Sequence, residues 1–385
     1  MDARELIYLD NAATGFPKPR ETTDAMLGFM KEVGGNAGRG AHPLSMAAAE
    51  GIFECRAKLA RLFGATGADR VCFTLNTTHG LNLCVKGLLK RGDHVLISDM
   101  EHNAVYRPLY RLRAQGQIEL DVFPLMGRDG ELTDEDICAG IEKRIRRNTR
   151  MLVCSGAGNI SSLASPLGAI GAICRRNGIL FVVDGAQCAG HRAITLEEQG
   201  IDALCVPAHK GLLGPQGCGA VILGEKIAPQ TLIEGGNGVD SLEGAMSFEM
   251  PERYEAGTLP APAIFGLSAG LDVLCRLGIE RIDEHEKILF RKAREGLESM
   301  DGIRIYTPRR EGAVLLFNME GYASEQVAEL LGERGICVRG GYHCCALGHK
   351  TLGTDRGGAV RISFGPFNSS SDIDALLDAI REIKG

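Results

Sequence analysis

Short apolar runs rich in β-branched residues recur between residues 70 and 224 of the 385-residue chain. The runs are "RVCFTL" (70–75), "HVLISD" (94–99), "RMLVCSG" (150–156), "ILFVVDG" (179–185), "DALCVPA" (202–208) and "GAVILG" (219–224). Because they lack polar alternation, they predict strands buried on both faces, as in a mainly parallel sheet covered by helices. The segments between them, such as "PLGAIGAICRRNG" (166–178), have helical spacing and end at glycine. The pattern therefore predicts an α/β, doubly wound domain.

The pattern changes in the last third of the chain. A long helical stretch from about Pro262 to Met300 precedes the short runs "IRIYTP", "GAVLLFNME", "GICVRGG" and "AVRISFG", with helices near 324–334 and from about Ser371. This order predicts a smaller α+β domain. We expect residues 16–262 to form the large domain, and residues 1–15 with 263–385 to form the small one.

Composition argues against several classes of function. The net charge of −6 does not favour a nucleic-acid surface, and no run of eighteen apolar residues predicts a membrane span. The N-terminal stretch "MDARELIYLDNAAT" lacks the basic and apolar regions of a secretory signal, so we expect a cytoplasmic protein. The 13 cysteines form no C-x-x-C pair and mostly lie in apolar runs. They predict neither a disulfide framework nor a metal site.

Polar side chains follow five of the predicted strands, at the points where those strands end. They are Thr77, Thr78, His102, Asn159, Asp184, Gln187, His209 and Lys210. Any one of them alone is more typical of a turn or a helix cap. Because ligands of open α/β sheets bind beyond the carboxyl ends of the strands, the joint occurrence predicts a ligand site.

Pyridoxal phosphate is a cofactor that needs this set together. A lysine holds it covalently and a carboxylate keeps its pyridine nitrogen protonated, roles that we assign to Lys210 and Asp184. Its phosphate suits the hydroxyl-rich helix start in "NTTHGLN" (76–82). We expect His102 to stack on the ring and move protons, and Gln187 to lie near the ring hydroxyl.

Seven segments, in order along the chain, resemble those of the class V aminotransferase-fold enzymes and, among them, the cysteine desulfurases. They are "YLDNAAT" (8–14), "NTTHGLNL" (76–83), "MEHNAV" (100–105), "VDGAQ" (183–187), "AHKGLLGPQGCG" (208–219), "RYEAGT" (253–258) and "VRGGYHC" (338–344). The last segment is similar to the group II desulfurases, which include selenocysteine lyases. The resemblance covers essentially the whole chain and implies the type I fold of pyridoxal-phosphate-dependent transferases.

The resemblance also implies roles for individual residues. The position of the catalytic cysteine is Cys344, and Arg361 matches the arginine that binds the substrate α-carboxylate, with Arg339 as a second substrate-binding candidate. Asn159 is expected near the cofactor hydroxyl or the substrate. Thr258 would reach the cofactor phosphate of a partner subunit, which implies a homodimer.

The pair of adjacent cysteines in "GGYHCCALG" (340–348) allows several interpretations. It could provide two metal ligands, a redox couple, two buried apolar side chains, or one nucleophile with a neighbour. The resemblance favours Cys344 as the nucleophile and Cys345 as a neighbour, and known zinc sites leave residues between adjacent thiolates.

The chain departs from the resembled family at the position before its cofactor-binding His-Lys pair. Many members have Ser-x-His-Lys, whereas this chain has Pro207-Ala208-His209-Lys210. Proline offers neither a hydroxyl nor an N–H to a phosphate, so His209 and Thr78 are expected to carry more of that binding.

The resulting hypothesis is a cysteine desulfurase that converts L-cysteine to L-alanine. Lys210 would act as the base at the substrate α-carbon, and Cys344 would receive the sulfur as a persulfide. The persulfide would pass to a sulfur-acceptor protein, as in iron–sulfur cluster assembly. One alternative is a selenocysteine lyase or cysteine β-lyase on the same scaffold. The other is a non-catalytic redox or metal sensor using Cys344 and Cys345.

Overall fold

The computed structural model describes residues 6–38, 40–127 and 130–385. Its helices are α1 (Arg20–Gly28), α2 (Pro43–Phe63), α3 (Thr77–Leu88), α4 (Asn103–Ala114), α5 (Asp134–Glu142), α6 (Leu167–Asn177), α7 (Leu196–Gln199), α8 (Ala261–Leu277), α9 (Ile279–Glu298), α10 (Ser324–Glu333), α11 (Ala346–Thr351) and α12 (Ser370–Lys384). Its strands are β1 (Ile7–Tyr8), β2 (Val71–Thr74), β3 (Asp93–Ser98), β4 (Ile118–Phe123), β5 (Met126–Gly127), β6 (Gly130–Glu131), β7 (Thr149–Ser155), β8 (Leu180–Asp184), β9 (Ala203–Pro207), β10 (Gly219–Leu223), β11 (Ile303–Ile305), β12 (Val314–Met319), β13 (Ile336–Cys337) and β14 (Val360–Ser363).

The largest sheet contains all six strands that the apolar runs predict. Its order is β2-β10-β9-β8-β7-β3-β4, and the neighbours from β9 to β4 pair in parallel while β10 runs antiparallel to β2 and β9. The prediction of an α/β fold with a mainly parallel central sheet is therefore confirmed.

Side chains of the central strands alternate between two apolar cores. In β7, Leu152 and Cys154 pack into one core, and Met151 and Val153 pack into the other. Because both faces of the sheet are covered, both sets of alternating positions are apolar. This double coverage explains why the strands have continuous apolar runs in the sequence.

The edge strand β4 was not predicted. It pairs in parallel with β3, and its residues alternate between buried positions such as Ile118 and Leu120 and an exposed Glu119. An edge strand that is covered less completely needs fewer apolar residues, so "IELDVF" gives a weaker signal than the central runs.

A smaller sheet, β11-β12-β14, is antiparallel and has its own core. The N-terminal segment joins this region: β1 pairs with β13, Leu9 lies in the same core, and Asp10 forms a bridge with Ser363. The division into residues 16–262 and residues 1–15 with 263–385 remains our prediction for the domains.

The helical stretch expected from Pro262 to Met300 is two helices. The helices α8 and α9 meet at Gly278, whose φ of 83° lies in the left-handed region that favours glycine, and the axis bends there by 75°. In the described part of the chain no single helix is long and apolar enough to cross a membrane. This bent pair meets the criterion only together, by length and composition.

Candidate active site

A cavity of about 180 Å³ lies at the carboxyl edge of the large sheet. Its lining contains all eight polar residues predicted from the strand ends: Thr77, Thr78, His102, Asn159, Asp184, Gln187, His209 and Lys210. Parallel strands bring their carboxyl ends to one edge, which is why residues more than 130 positions apart in sequence meet here.

Lys210 and Asp184 are the two charged residues of this cavity. Burial, offset in part by the Asp184 carboxylate, lowers the pKa of the Lys210 ammonium to about 8. Burial also raises the pKa of Asp184. A hydrogen bond of 3.0 Å from the Ala186 N–H to Oδ1 and the nearby Lys210 charge act in the opposite direction but do not cancel this effect. A lysine that loses its proton near neutral pH is suited to act as a nucleophile or a base.

His102 caps the N-terminus of α4. Its Nδ1 accepts a hydrogen bond of 3.0 Å from the Ala104 N–H, so the proton of the neutral ring lies on Nε2. Burial and the positive charges of Lys210 and Arg361 lower the pKa of His102 to about 4. The side chain is therefore a neutral imidazole at neutral pH, with one N–H free to donate.

The start of α3 fits a phosphate group. Asn76 caps the helix by accepting from the His79 N–H at 3.0 Å, and the first N–H groups of a helix have no partners within it. Thr77 Oγ1 and His209 Nδ1 are buried and have no hydrogen-bond partner in the described structure. Such orphaned polar atoms are costly unless a ligand satisfies them. The lysine, the carboxylate and these atoms together fit pyridoxal phosphate.

Two amide side chains connect the cavity to other segments. Gln187 Nε2 donates to the Ala12 carbonyl at 2.9 Å, which leaves its oxygen available to a ligand. Asn159 Nδ2 donates to the His343 carbonyl at 2.7 Å, and its buried Oδ1 has no partner among the described residues. Asn159 therefore offers an acceptor to the cavity while holding the cysteine loop.

Cys344 lies on an exposed loop beside this cavity. His343 and Cys344 both have left-handed backbone conformations, with φ of 51° and 55°. The Asn103 N–H donates to the Cys344 carbonyl at 2.7 Å, which places this loop directly against the residue after His102. Left-handed geometry costs about 1–2 kcal/mol for each non-glycine residue, so contacts to the cavity residues must hold the loop in this form.

A chain of hydrogen bonds also supports the loop from behind. His349 Nδ1 lies 2.6 Å from Thr354 Oγ1, and its Nε2 lies 3.4 Å from His343 Nδ1. His343 Nε2 then lies 3.2 Å from the Arg339 carbonyl. Burial and the Arg361 charge lower the pKa of His343 to about 3, so its ring is neutral and donates through Nε2 to that carbonyl.

The two adjacent cysteines lie in different environments. Cys344 is exposed, whereas Cys345 is 1% exposed, and its Sγ lies 3.6 Å and 3.5 Å from the carbonyl oxygens of Met100 and Glu101. Burial raises the pKa of the Cys345 thiol to about 12. Within the described residues no three His, Cys, Asp or Glu side chains are grouped to hold a metal ion.

The two arginines expected to bind substrate share one carboxylate. Arg361 Nη2 donates to Asp10 Oδ1 at 2.7 Å, and Arg339 donates to Oδ2 through Nε at 3.0 Å and Nη2 at 2.8 Å. Arg361 is buried, also donates to the Asn159 carbonyl at 3.2 Å, and has a buried Nε without a partner in the described structure. Two cations against one anion leave a net positive charge suited to one further carboxylate.

Thr258 is the one predicted site residue that the fold places elsewhere. It lines a separate cavity with Arg56, Glu255 and Asn237 rather than the cavity of Lys210. Thr258 is expected to contact the cofactor of a partner subunit, and not the cofactor of its own chain. Its position away from this chain's own cavity therefore does not test that expectation.

Sequence reasoning missed two buried carboxylates near the site. Asp10 lies in the segment "YLDNAAT", but nothing in the sequence indicates that it pairs with arginines more than 320 positions away. Glu101, next to His102, is fully buried and hydrogen-bonded to the Ser98 hydroxyl and to the N–H and hydroxyl of Ser155. Burial raises the pKa of Glu101 to about 8, so it is mostly neutral at pH 7.

A lysine and a buried carboxylate in one cavity, with a helix start beside them, are the features that pyridoxal phosphate requires of its site. The chain matches the family model "Aminotransferase class-V" over residues 7–376. It is 33% identical to a Methanothermobacter thermautotrophicus protein named "Probable cysteine desulfurase", over 99% of this chain and 96% of that protein. The chain therefore belongs to the class V aminotransferase family and, within it, to the cysteine desulfurases.

Solved structures agree with this assignment. The apo structure of a cysteine desulfurase from Thermococcus onnurineus has a TM-score of 0.90 and 31% identity, and the match covers 99% of this chain and 95% of that one. The cysteine desulfurase CsdA from Escherichia coli has a TM-score of 0.87 and 26% identity, covering 98% and 94%.

Proposed function

We propose that the chain is a pyridoxal-phosphate-dependent cysteine desulfurase that takes sulfur from L-cysteine and holds it as a persulfide on Cys344. One observation carries the proposal: the exposed Cys344 is anchored through its own carbonyl to Asn103, one residue after the His102 that lines the lysine cavity. A nucleophile at the mouth of a cofactor cavity can reach a substrate atom held inside it.

The residues of the cavity are suited to hold the cofactor. Lys210 would provide the covalent link, Asp184 would face the pyridine nitrogen, and His102 would lie against the ring. The N–H groups of α3, with Thr77, Thr78 and His209, would bind the phosphate, while Gln187 and Asn159 would accept from the ring hydroxyl. When bound, pyridoxal phosphate supplies an electron sink for charge that develops at the substrate α-carbon.

The arginine pair would bind the substrate carboxylate. Arg361 Nε, beside the cavity residue Asn159, has no partner in the described part of the chain, so Arg361 would be the primary clamp. The half-exposed Arg339 would add charge at the entrance. The fixed planar fork of an arginine orients a carboxylate better than a lysine does. The α-carbon of L-cysteine would then point toward Lys210, whose lowered pKa suits it to accept the α-proton.

The sulfur transfer uses Cys344 as its nucleophile. Its thiolate attacks the substrate sulfur, so that a sulfur–sulfur bond forms and the substrate carbon–sulfur bond breaks. The electron pair of the broken bond goes to the substrate carbon, which gains a proton and ends as L-alanine. Cys345 is buried against the Met100 and Glu101 carbonyls and takes no part in this step.

Alanine formation from L-cysteine and from L-selenocysteine tests the proposal, with wild type compared with Cys344→Ala and Cys345→Ala. We expect Cys344→Ala to abolish turnover of L-cysteine and Cys345→Ala to retain it. If Cys344→Ala still cleaves selenocysteine, the Cys344 thiol is required only to remove sulfur, and the lyase activity resides in the cofactor cavity. If wild type yields alanine from neither substrate, the desulfurase and lyase proposals both fail.

The remaining expectations extend this proposal. A homodimer would bring Thr258 of one subunit to the cofactor phosphate of the other, and the persulfide would pass to a sulfur-acceptor protein in the cytoplasm, as in iron–sulfur cluster assembly. The placement of Thr258 in a cavity of its own, away from Lys210, is compatible with a role in a partner's site.

A further inference from the structure

A basic groove begins at Cys344 and runs along the outside of α3 and α4. It encloses about 370 Å³ and shares Thr78, His102 and Ala104 with the cofactor cavity. Its outer wall is formed by Asn82, Lys86, Asn103, Arg107, Pro108 and Arg111. We use the name basic groove for this set, together with Cys344. Anything that approaches the Cys344 thiol from this side meets the groove.

Three exposed cations give the groove its charge. Arg107 and Arg111 lie one turn apart on α4, about 6 Å along the helix axis, and Lys86 lies on the adjacent α3. None of them forms an ion pair within the described structure, and none of the described residues that line the groove is acidic. In a chain of net charge −6, a cluster of unpaired cations beside the nucleophile is a distinct feature.

The cofactor phosphate does not account for the charge of Lys86. That phosphate would lie at the first turn of α3, near Thr77 and Thr78. Lys86 follows Thr78 by eight positions, which is about 12 Å along the helix at about 1.5 Å per residue. This separation exceeds the Debye length of about 8–10 Å at physiological ionic strength, so Lys86 and the phosphate of the same chain interact weakly.

We propose that the basic groove binds an acidic segment beside the thiol of the sulfur-acceptor protein and so directs that thiol to the Cys344 persulfide. The inference rests on the proposed desulfurase function. In the transfer, the acceptor thiolate attacks the outer sulfur of the persulfide. A new sulfur–sulfur bond forms on the acceptor, the bond to Cys344 breaks, and the Cys344 thiolate is released, with no net oxidation or reduction.

The dimensions of the groove favour a short peptide over a nucleic acid. In an extended segment, side chains two residues apart lie on the same face, about 6.6 Å apart, which matches the spacing of Arg107 and Arg111. Nucleic-acid binding needs a longer basic stripe that follows many phosphates. Three cations over one or two helical turns match two or three carboxylates instead.

Alkylation of Cys344 by anionic iodoacetate and by neutral iodoacetamide tests the charge of the groove without requiring sulfur transfer. The exposed Cys275 provides a reference thiol in the same molecule, and mass spectrometry reads both sites. The quantity compared is the rate with iodoacetate divided by the rate with iodoacetamide. We expect this ratio at Cys344 to exceed the ratio at Cys275 by about three- to tenfold at low salt, and to fall in 0.5 M NaCl. Lys86→Gln/Arg111→Gln, which leaves only Arg107 of the three cations, should reduce the difference. Arg113→Gln, outside the groove on the same helix, should retain it in full. Equal ratios at the two cysteines would overturn the proposal.

Discharge of the persulfide tests the partner chemistry. Protein loaded with L-cysteine is mixed with a peptide that has one cysteine followed by three glutamates, or with the same peptide carrying glutamines. We expect the acidic peptide to react about tenfold faster than the neutral peptide with wild type and with Arg113→Gln. With Lys86→Gln/Arg111→Gln this advantage should be clearly smaller, because only Arg107 of the three cations remains. Equal rates of the acidic and neutral peptides with wild type would overturn the proposal. So would a short RNA that inhibits discharge of the persulfide more strongly than the acidic peptide with serine in place of its cysteine, which cannot accept sulfur. If L-cysteine loads no sulfur on Cys344, the proposed function fails, and the alkylation ratio alone decides whether the groove selects anions.

Discussion

The side-chain amide of Asn159 donates a hydrogen bond of 2.7 Å to the backbone carbonyl of His343, the residue before Cys344. The next carbonyl, that of Cys344, accepts from the Asn103 N–H at the same distance. Both acceptors belong to residues in left-handed conformations, and both donors belong to segments that line the cofactor cavity or the adjoining groove. The position of Cys344, the proposed nucleophile, is therefore fixed by the same segments that shape the cavity and the groove.

Loss of the Asn159 amide should displace the cysteine loop. In Asn159→Ala the partly buried His343 carbonyl loses its donor, at a cost of about 1–3 kcal/mol, so we expect alanine formation to fall roughly 5- to 100-fold. Asn177→Ala is a matched control, because its amide also donates to a backbone carbonyl, that of Ile173 at 2.9 Å, far from the site. Wild-type turnover by Asn159→Ala at saturating cofactor would contradict this prediction.

Asp10 should matter more to stability through Arg361 than through Arg339. The Arg361 side chain is 3% exposed and that of Arg339 is 51% exposed. Asp10→Ala leaves a buried guanidinium without its carboxylate, so we expect a loss of about 3–5 kcal/mol in the free energy of unfolding. Arg339→Ala removes only the exposed partner and should cost about 0–1 kcal/mol. Urea unfolding of the cofactor-free proteins measures the free energy of unfolding of both variants. Similar losses in Asp10→Ala and Arg339→Ala would show that burial does not make the Asp10–Arg361 pair more important than the Asp10–Arg339 pair.

The reactivity of Lys210 should level off near pH 8. Its pKa is lowered to about 8, so the neutral amine fraction rises about tenfold per pH unit below that value and is nearly complete above it. Burial lowers the pKa of Lys58, but hydrogen bonds to Asp272 and Glu54 outweigh burial and leave it raised above the usual 10.5. Acetylation of cofactor-free protein, read by mass spectrometry, should therefore reach a plateau for Lys210 while Lys58 still gains reactivity. Parallel profiles for the two lysines would refute the lowered value.

The sequence predicts the central sheet well because its strands are buried on both faces and read as continuous apolar runs. It also predicts the eight cavity residues, since the carboxyl ends of parallel strands must meet at one edge. The break at Gly278 was missed because both flanking segments have helical spacing, and the fold exploits the glycine's positive φ. The pairing of Asp10 with Arg361 joins positions 351 residues apart, and no local pattern specifies such a contact.

Left-handed geometry at His343 and Cys344 is likewise invisible in the sequence, because neither residue is the glycine that such a backbone favours. Long-range contacts impose this geometry, among them the Asn159 and Asn103 hydrogen bonds and the contact of His349 with His343. The resemblance identifies which cysteine lies at the nucleophile position, whereas only the fold explains how that cysteine is presented.

Pro207 offers a direct test of how the cavity binds the cofactor phosphate. It ends β9, lines the cavity two residues before His209, and stands where the resembled family often has serine. In Pro207→Ser the new hydroxyl can donate to a phosphate oxygen at the wall where His209 Nδ1 is buried without a partner in the described structure. A hydrogen bond to a charged group contributes about 1.5–3 kcal/mol, so we expect the dissociation constant of pyridoxal phosphate to fall roughly 10- to 100-fold.

Pro207→Ala is the matched control for this change. It removes the same ring and restores the same backbone N–H but supplies no hydroxyl, so any difference between the serine and alanine variants belongs to the hydroxyl. Titration of cofactor-free protein, followed by the absorbance of the bound cofactor, gives both constants. Equal affinities in the two variants would mean that the phosphate does not lie against Pro207 and that the α3 N–H groups, Thr77, Thr78 and His209 hold it without help from this wall. Tighter binding of pyridoxal phosphate by the serine variant alone would place the phosphate at the end of β9. It would also explain why Thr77, Thr78 and His209 must bind the phosphate when residue 207 is proline.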